Sequence, residues 1–204
     1  MSKKQHWDQL YTNRTPLDVS WFQQQPTISL SLINSLHLSK DAAIIDVGGG
    51  ASLLVDHLLA EGYHNLAVLD ISAQALAHSQ SRLGKQAENV EWFVEDITKF
   101  SPSRKFDLWH DRAVFHFLTD AADRQHYVAN LKKALAPKAH AVIATFAIGG
   151  PTKCSNLDIV QYDEAKIGAE LGKDFILRSV HHELHITPAN KEQAFNYFHF
   201  QKIN

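Results

Sequence analysis

The chain has 204 residues, 45% of them apolar and 21% charged, which suits one globular domain with a large core and leaves little length for two. Its 20 basic and 22 acidic residues give a net charge of −2, so no overall basic field exists to bind nucleic acid or an anionic membrane. The single Cys154 excludes an internal disulfide and fits a reducing compartment. Met1–Trp7 lacks the apolar core of a signal peptide, and the most apolar stretch, Ala139–Ile148, is too short to span a bilayer. A cytoplasmic protein is expected, with neither nucleic-acid nor membrane partners.

After a polar start, apolar residues at Ile28, Leu30, Leu32, Ile33 and Leu36 predict an amphipathic helix over 27–38, with Pro26 at its first turn. The continuous apolar run 42–47 ends in glycines, as expected of a strand buried on both faces. Leu53, Leu54, Leu58 and Leu59 continue with helical period to a stop at Gly62. A second strand over 65–69 leads to a helix over 72–83, with Ser72 as N-cap and Gly84 past its end. Strands over 90–94 and 106–109, a helix over 121–135 closed by Pro137, and a strand over 139–146 follow. This alternation predicts a parallel α/β sheet with right-handed crossovers. A helix over 162–171 then precedes strands over 175–186 and 193–201 separated by a short turn, an antiparallel hairpin at the sheet edge.

The most informative segment is Asp46-Val47-Gly48-Gly49-Gly50-Ala51-Ser52. Glycines at 48 and 50 allow a sharp turn and close approach to a ligand, and the helix that follows offers free N–H groups. Asp70, at the end of the second strand and 20 residues beyond Gly50, is placed to take both hydroxyls of a ribose. Asp96, after the third strand, is placed to accept from an adenine amino group, with Ile71 and Ile97 as apolar walls. A dinucleotide loop wants a third glycine where Leu53 stands, and Asp46 would repel a pyrophosphate. The same carboxylate favours the ammonium or sulfonium of S-adenosylmethionine (SAM).

These segments, together with Glu95-Asp96-Ile97 and Phe106-Asp107-Leu108-Trp109-His110-Asp111-Arg112, resemble the ordered motifs of the class I SAM-dependent methyltransferases. The resemblance is strong over about residues 40–150. It implies a Rossmann-like sheet of seven mostly parallel strands, order 3-2-1-4-5-7-6 with the seventh antiparallel, flanked by helices. It also implies SAM as cofactor, bound by Asp46, Gly48, Gly49, Gly50, Ser52, Asp70, Ile71, Asp96, Ile97 and Asp111. One domain over 1–204 is expected: an arm and helix over 1–40, a SAM-binding core over 41–150, and a loop, helix and hairpin over 151–204.

Ligands of open α/β sheets lie beyond the carboxyl ends of the strands, which puts residues 110–117 beside the reactive methyl group. His110, Asp111 and His116 are the available bases there, and Arg112 could hold an anionic substrate. Asp111 and Arg112 equally suit pairing to brace the loop, and His116 equally suits packing. Trp21 and Phe22 of the aromatic arm, with Phe115, are expected to border substrate or act as a lid, and the loop 149–156 is a second lid candidate. His181, Glu183 and His185 share one strand face but lack further ligands, so no metal site is expected. The expected activity is methyl transfer to a small molecule. A protein-lysine methyltransferase and a SAM-binding protein without catalysis are the alternatives.

Overall fold

The computed structural model describes residues 2–204. Its main sheet contains β1 (Ile44–Val47), β2 (Leu66–Asp70), β3 (Val90–Val94), β4 (Phe106–Arg112), β5 (Leu135–Phe146), β8 (Phe175–Ile186) and β9 (Glu192–Lys202). A separate two-residue hairpin, β6 (Lys153–Cys154) with β7 (Leu157–Asp158), lies in the loop after β5. The order across the sheet is β3-β2-β1-β4-β5-β9-β8. Counted without the small hairpin this is the expected 3-2-1-4-5-7-6, with β9 antiparallel to both of its neighbours.

Side chains of successive strand residues point to opposite faces, so each buried strand feeds two cores. Ile45, Val47, Leu69, Trp109 and Ile143 meet α5 (Ala121–Ala134) and α6 (Glu164–Leu171) on one face. Ile44, Leu66, Val68, Leu108 and Val142 meet α2 (Thr27–Ser35), α3 (Leu54–Ala60) and α4 (Ala73–Leu83) on the other. Trp109 is fully buried and donates its indole N–H to the Tyr127 hydroxyl at 2.9 Å, so the largest core side chain carries no orphaned donor. Ser72 caps α4 by accepting from the Ala75 N–H, and Gly84 follows that helix with φ of +56°.

Three elements depart from expectation. The polar start forms α1 (Lys3–Asn13), begun by a capping box in which Ser2 and Gln5 satisfy each other's backbone N–H. Its Trp7, Leu10 and Tyr11, spaced i, i+3, i+4, pack with Trp21 and Phe22 onto Ala51 and Ala75, above the glycine turn. β4 runs on to Arg112, where a loop was expected from 110. β5 begins at Leu135 and includes Pro137, because a register shift against β4 and a left-handed Lys138 (φ +62°) absorb the proline. No helix among the described residues is long and apolar enough to cross a membrane.

Candidate functional site

Two connected clefts open beyond the carboxyl ends of β1, β2 and β4. The first is lined by Gly48, Asp70, Ile71, Asp96 and Ile97, by Trp7, Tyr11 and Trp21 of the arm, and by Arg112, Val114, Phe117 and Cys154. The second is lined by Asp46, Gly49, Ser52, Ser29, His110, Phe22 and Gln23. Tyr11, Trp21, Gly48 and Arg112 border both, so the two clefts are neighbours.

The turn after β1 keeps the first cleft open. Gly48 has φ of +70°, and a Cβ there would lie 2.0 Å from a Val114 methyl carbon. Gly50 faces neither cleft. A Cβ on it would approach Asp70 Oδ2 to 2.6 Å, so its glycine preserves the position of that carboxylate. Asp70 Oδ1 accepts the Ser72 N–H at 2.8 Å, which leaves Oδ2 towards the turn. Burial pushes the Asp70 carboxyl up to about 7, the charges of Asp46 and Asp8 add to that rise, and the Ser72 N–H opposes it. Hydroxyl donors from a ribose would stabilise the charged form that burial penalises. Asp96 Oδ1 is held by the N–H and hydroxyl of Thr98 at 2.9 and 2.8 Å, between the apolar walls Ile71 and Ile97. The open turn, the paired aspartates and these walls fit the adenosyl part of SAM.

Asp46 and His110 sit side by side on β1 and β4 and point to the same face. His110 Nδ1 lies 2.7 Å from Asp46 Oδ1, and Nε2 lies 2.9 Å from Ser29 Oγ on α2. All three are buried. Both ring nitrogens of His110 are therefore engaged, while Asp46 still borders the second cleft. Ser52 Oγ accepts the Leu54 N–H at 3.1 Å at the start of α3.

Because β4 remains a strand to its end, Asp111 points to the opposite face from His110. It borders neither cleft and is fully buried. Its carboxylate accepts from the Val114 N–H (2.8 Å), the Phe115 N–H (3.1 Å) and the Tyr127 hydroxyl (2.6 Å), bracing the turn at Ala113 (φ +75°). Burial pushes it up to about 6 even though these donors pull the other way. Asp111 was expected to contact cofactor or act as a base, and strand alternation instead turns it into the core, away from both cleft linings. Phe115, expected to border substrate, likewise lies in the core, its ring buried against Tyr127 and Tyr162. His116 is also away from the clefts. It is packed against Phe117 and Phe146, and burial with the nearby Arg112 charge brings it down to about 3, so the ring is neutral.

Arg112 returns to the cleft side. Its Nε donates to the Tyr197 hydroxyl at 2.7 Å and its Nη1 to the Trp21 carbonyl at 2.9 Å. Nη2 lies 3.5 Å from Glu183 Oε2, and the guanidinium sits 4.6 Å over the Phe195 ring. Glu183 also accepts from Tyr197 (2.7 Å) and from Gln23 of the arm (2.6 Å). Arg112 does not pair with Asp111, and instead ties the arm to the terminal hairpin. Glu183 and His185, whose spacing suggested a metal face, are used here: His185 Nε2 meets the Ser20 carbonyl at 2.8 Å. Among the described residues no group of three or more such side chains is assembled for a metal.

The sequence reading missed Ser29, Tyr197 and Glu183 as site residues. Their only signal is polarity at positions facing a core, which needs the register to be recognised. The loop 149–156 does reach the cleft through Cys154, and Ser155 beside it touches α1, its Oγ 3.4 Å from His6 Nε2.

Residues 45–141 match a family described as a methyltransferase domain. Nodulation protein S of Rhizobium tropici is 30% identical over 129 residues, covering 63% of this chain and 53% of that protein. The chain thus spans about half the length of the nodulation proteins it matches. EEF1A lysine methyltransferase 2 of Danio rerio is 26% identical over 160 residues, covering 71% of this chain and 69% of that one. The crystal structure of the N-methyltransferase NodS from Bradyrhizobium japonicum, in complex with S-adenosyl-L-homocysteine (SAH), superposes with a TM-score of 0.71 at 18% identity, covering 97% and 98% of the two chains.

Proposed function

We propose that the chain is a class I SAM-dependent methyltransferase that transfers the methyl group of SAM to a small-molecule acceptor. One observation carries the reading. The cleft that presents Asp70 and Asp96 is roofed by α1 and by the loop bearing Cys154, a cover that suits a compact acceptor better than a polypeptide surface. SAM supplies a methyl group on a cationic sulfonium. The residues of the chain have to bind, align and exclude water, since the transfer is an in-line displacement. Asp70 takes the ribose, Asp96 the adenine amino group between Ile71 and Ile97, and Asp46 the ammonium of the methionine end. Gly48, Gly49 and Ser52 shape the turn beneath it. Trp21 and Phe22 close the arm over both clefts.

We read residues 1–204 as one domain acting in the cytoplasm, a placement supported by the lone Cys154, which is buried and unpaired. A protein lysine remains the second reading, favoured by the 26% identity to the lysine methyltransferase over 71% of the chain. Incubation of the purified chain with methyl-labelled SAM and cell extract tests the choice. Label in the small-molecule fraction is the expected result, and label on a protein band would replace it with the lysine reading. SAH binding with no transfer to either fraction would leave a cofactor-binding protein without catalysis.

A further inference from the structure

We infer that His110 and Ser29 are positioning residues for the Asp46 carboxylate, holding one of its oxygens so that the other faces the second cleft for the cofactor's ammonium. This rests on the methyltransferase reading above and adds to it the two groups that aim Asp46.

His110 stands beside Asp46 in the β1–β4 register, and its Nδ1 lies 2.7 Å from Asp46 Oδ1. On the far side of the ring, Nε2 lies 2.9 Å from Ser29 Oγ in the first turn of α2. An ionised carboxylate only accepts, so Nδ1 carries the proton and donates it. Nε2 of the neutral ring then accepts from the Ser29 hydroxyl. A helical serine commonly turns its hydroxyl to the carbonyl one turn back, whereas the partner of Ser29 is the ring. The other oxygen of Asp46 is treated differently. Oδ2 has no hydrogen bond among the described residues, yet it is not one of their enclosed unpaired polar atoms, so it keeps surface towards the second cleft. No Lys or Arg ion pair among the described residues includes Asp46.

Gly49 fits the same arrangement. A Cβ there would lie 2.5 Å from Asp46 Oδ2 and 2.8 Å from a Val68 methyl carbon inside the sheet. A side chain at 49 would therefore push Asp46 out of the orientation that His110 sets. Ser29, Gly49 and His110, far apart in the sequence, thus act on one carboxylate. The order Ser-His-Asp is also that of a nucleophilic relay, but Ser29 has no exposed surface at which an acyl group could be attacked. What the three residues supply is a carboxylate fixed before any ligand arrives, so an incoming ammonium meets it without reorganisation.

The test titrates the purified chain by calorimetry with SAH and with its deaminated analogue, in which hydrogen replaces the ammonium. SAH is expected to bind about 10–100-fold more tightly. His110→Leu should bring that ratio towards one. His110→Asn, whose amide N–H can stand where Nδ1–H was, should retain most of it. Ser29→Ala, which removes one oxygen atom and decides the matter should His110→Leu not fold, should lower the ratio about threefold or more. Nitrogen NMR of the SAH-bound wild type should show the His110 ring protonated at Nδ1 alone, the signal being assigned by its loss in His110→Asn. A ratio untouched by both His110→Leu and Ser29→Ala, equal affinities in the wild type, or a ring protonated at Nε2 overturns the inference. Failure of the wild type to bind SAH at all would instead sink the methyltransferase reading beneath it.

Discussion

The two sides of the cleft use acidic and basic residues in opposite ways. On the β1–β3 side, Asp70 at the end of β2 and Asp96 two residues after β3 line the cleft and are anchored by local backbone or hydroxyl donors only. On the β4–β9 side, Asp111, His110 and Arg112 are held by partners from α2, α5, β8, β9 and the arm, so most of their hydrogen-bonding capacity is absorbed by the fold, Arg112 Nη2 alone among these groups lacking a hydrogen-bond partner among the described residues. The first arrangement leaves a carboxylate available to a ligand. The second gives a rigid wall whose chemistry lies in shape, aromatic surface and field. Polar residues in one cleft therefore differ in role according to whether their partners are already present.

The largest effect that should follow is on the wall. Asp111→Ala would orphan two backbone N–H groups and the Tyr127 hydroxyl, so unfolding in urea at neutral pH should show a loss of about 3–5 kcal/mol. A variant that folds normally but has lost turnover would restore Asp111 as a catalytic group.

The opposite pattern is expected across the cleft. Asp70→Asn should weaken SAH binding by about 10–100-fold, read by calorimetry, while leaving the unfolding midpoint unchanged or raised. The raised midpoint would follow from removing a charge that burial penalises. An unstable variant with normal SAH affinity would reverse the comparison.

His116 gives an effect that depends on pH. Its folded ring stays neutral down to about 3, whereas the unfolded chain takes up a proton near 6.5. The unfolded state thus binds more protons between those values, so this contribution is complete above pH 6.5 and is lost as pH falls towards 3. The slope approaches about 1.4 kcal/mol per pH unit. His199, brought down to about 4, acts with the same sign, so the difference between the wild type and His116→Gln isolates the one ring. Parallel stability curves for the two proteins would show that His116 is not held neutral.

The smallest effect belongs to the arm. Lys3 and Asp123 meet at 2.6 Å with partly exposed side chains, so Lys3→Ala should cost less than about 1 kcal/mol, and less again in high salt. A larger, salt-independent loss would mean that α1 is fastened by more than its aromatic face and this pair.

Much of the fold was readable because its strands are buried on both faces and its helices carry local caps. β3 and β8 begin and end where their residue patterns place them, and Ser72 caps α4 as its position suggested. α1 was also readable in principle, from Ser2 and Gln5 at capping-box spacing and from the run Trp7, Leu10, Tyr11, but its overall polarity hid it. The extension of β4 was not readable, because His110-Asp111-Arg112 has the composition of a loop and stays extended only through its pairing with β1 and β5.

The sequence by itself determined the alternation of strands and helices, the glycine turn and the acidic positions at the first three strand ends. Those depend on spacing along the chain, where periodicity and backbone freedom are local properties. Only the tertiary structure decided which polar residues remain available. Asp111 and Asp70 are both strand-end carboxylates in the sequence. One is enclosed by Tyr127 and the turn it braces, and the other faces the cleft, because the two strands present them to opposite faces of the same sheet and only one of those faces opens onto a ligand's space.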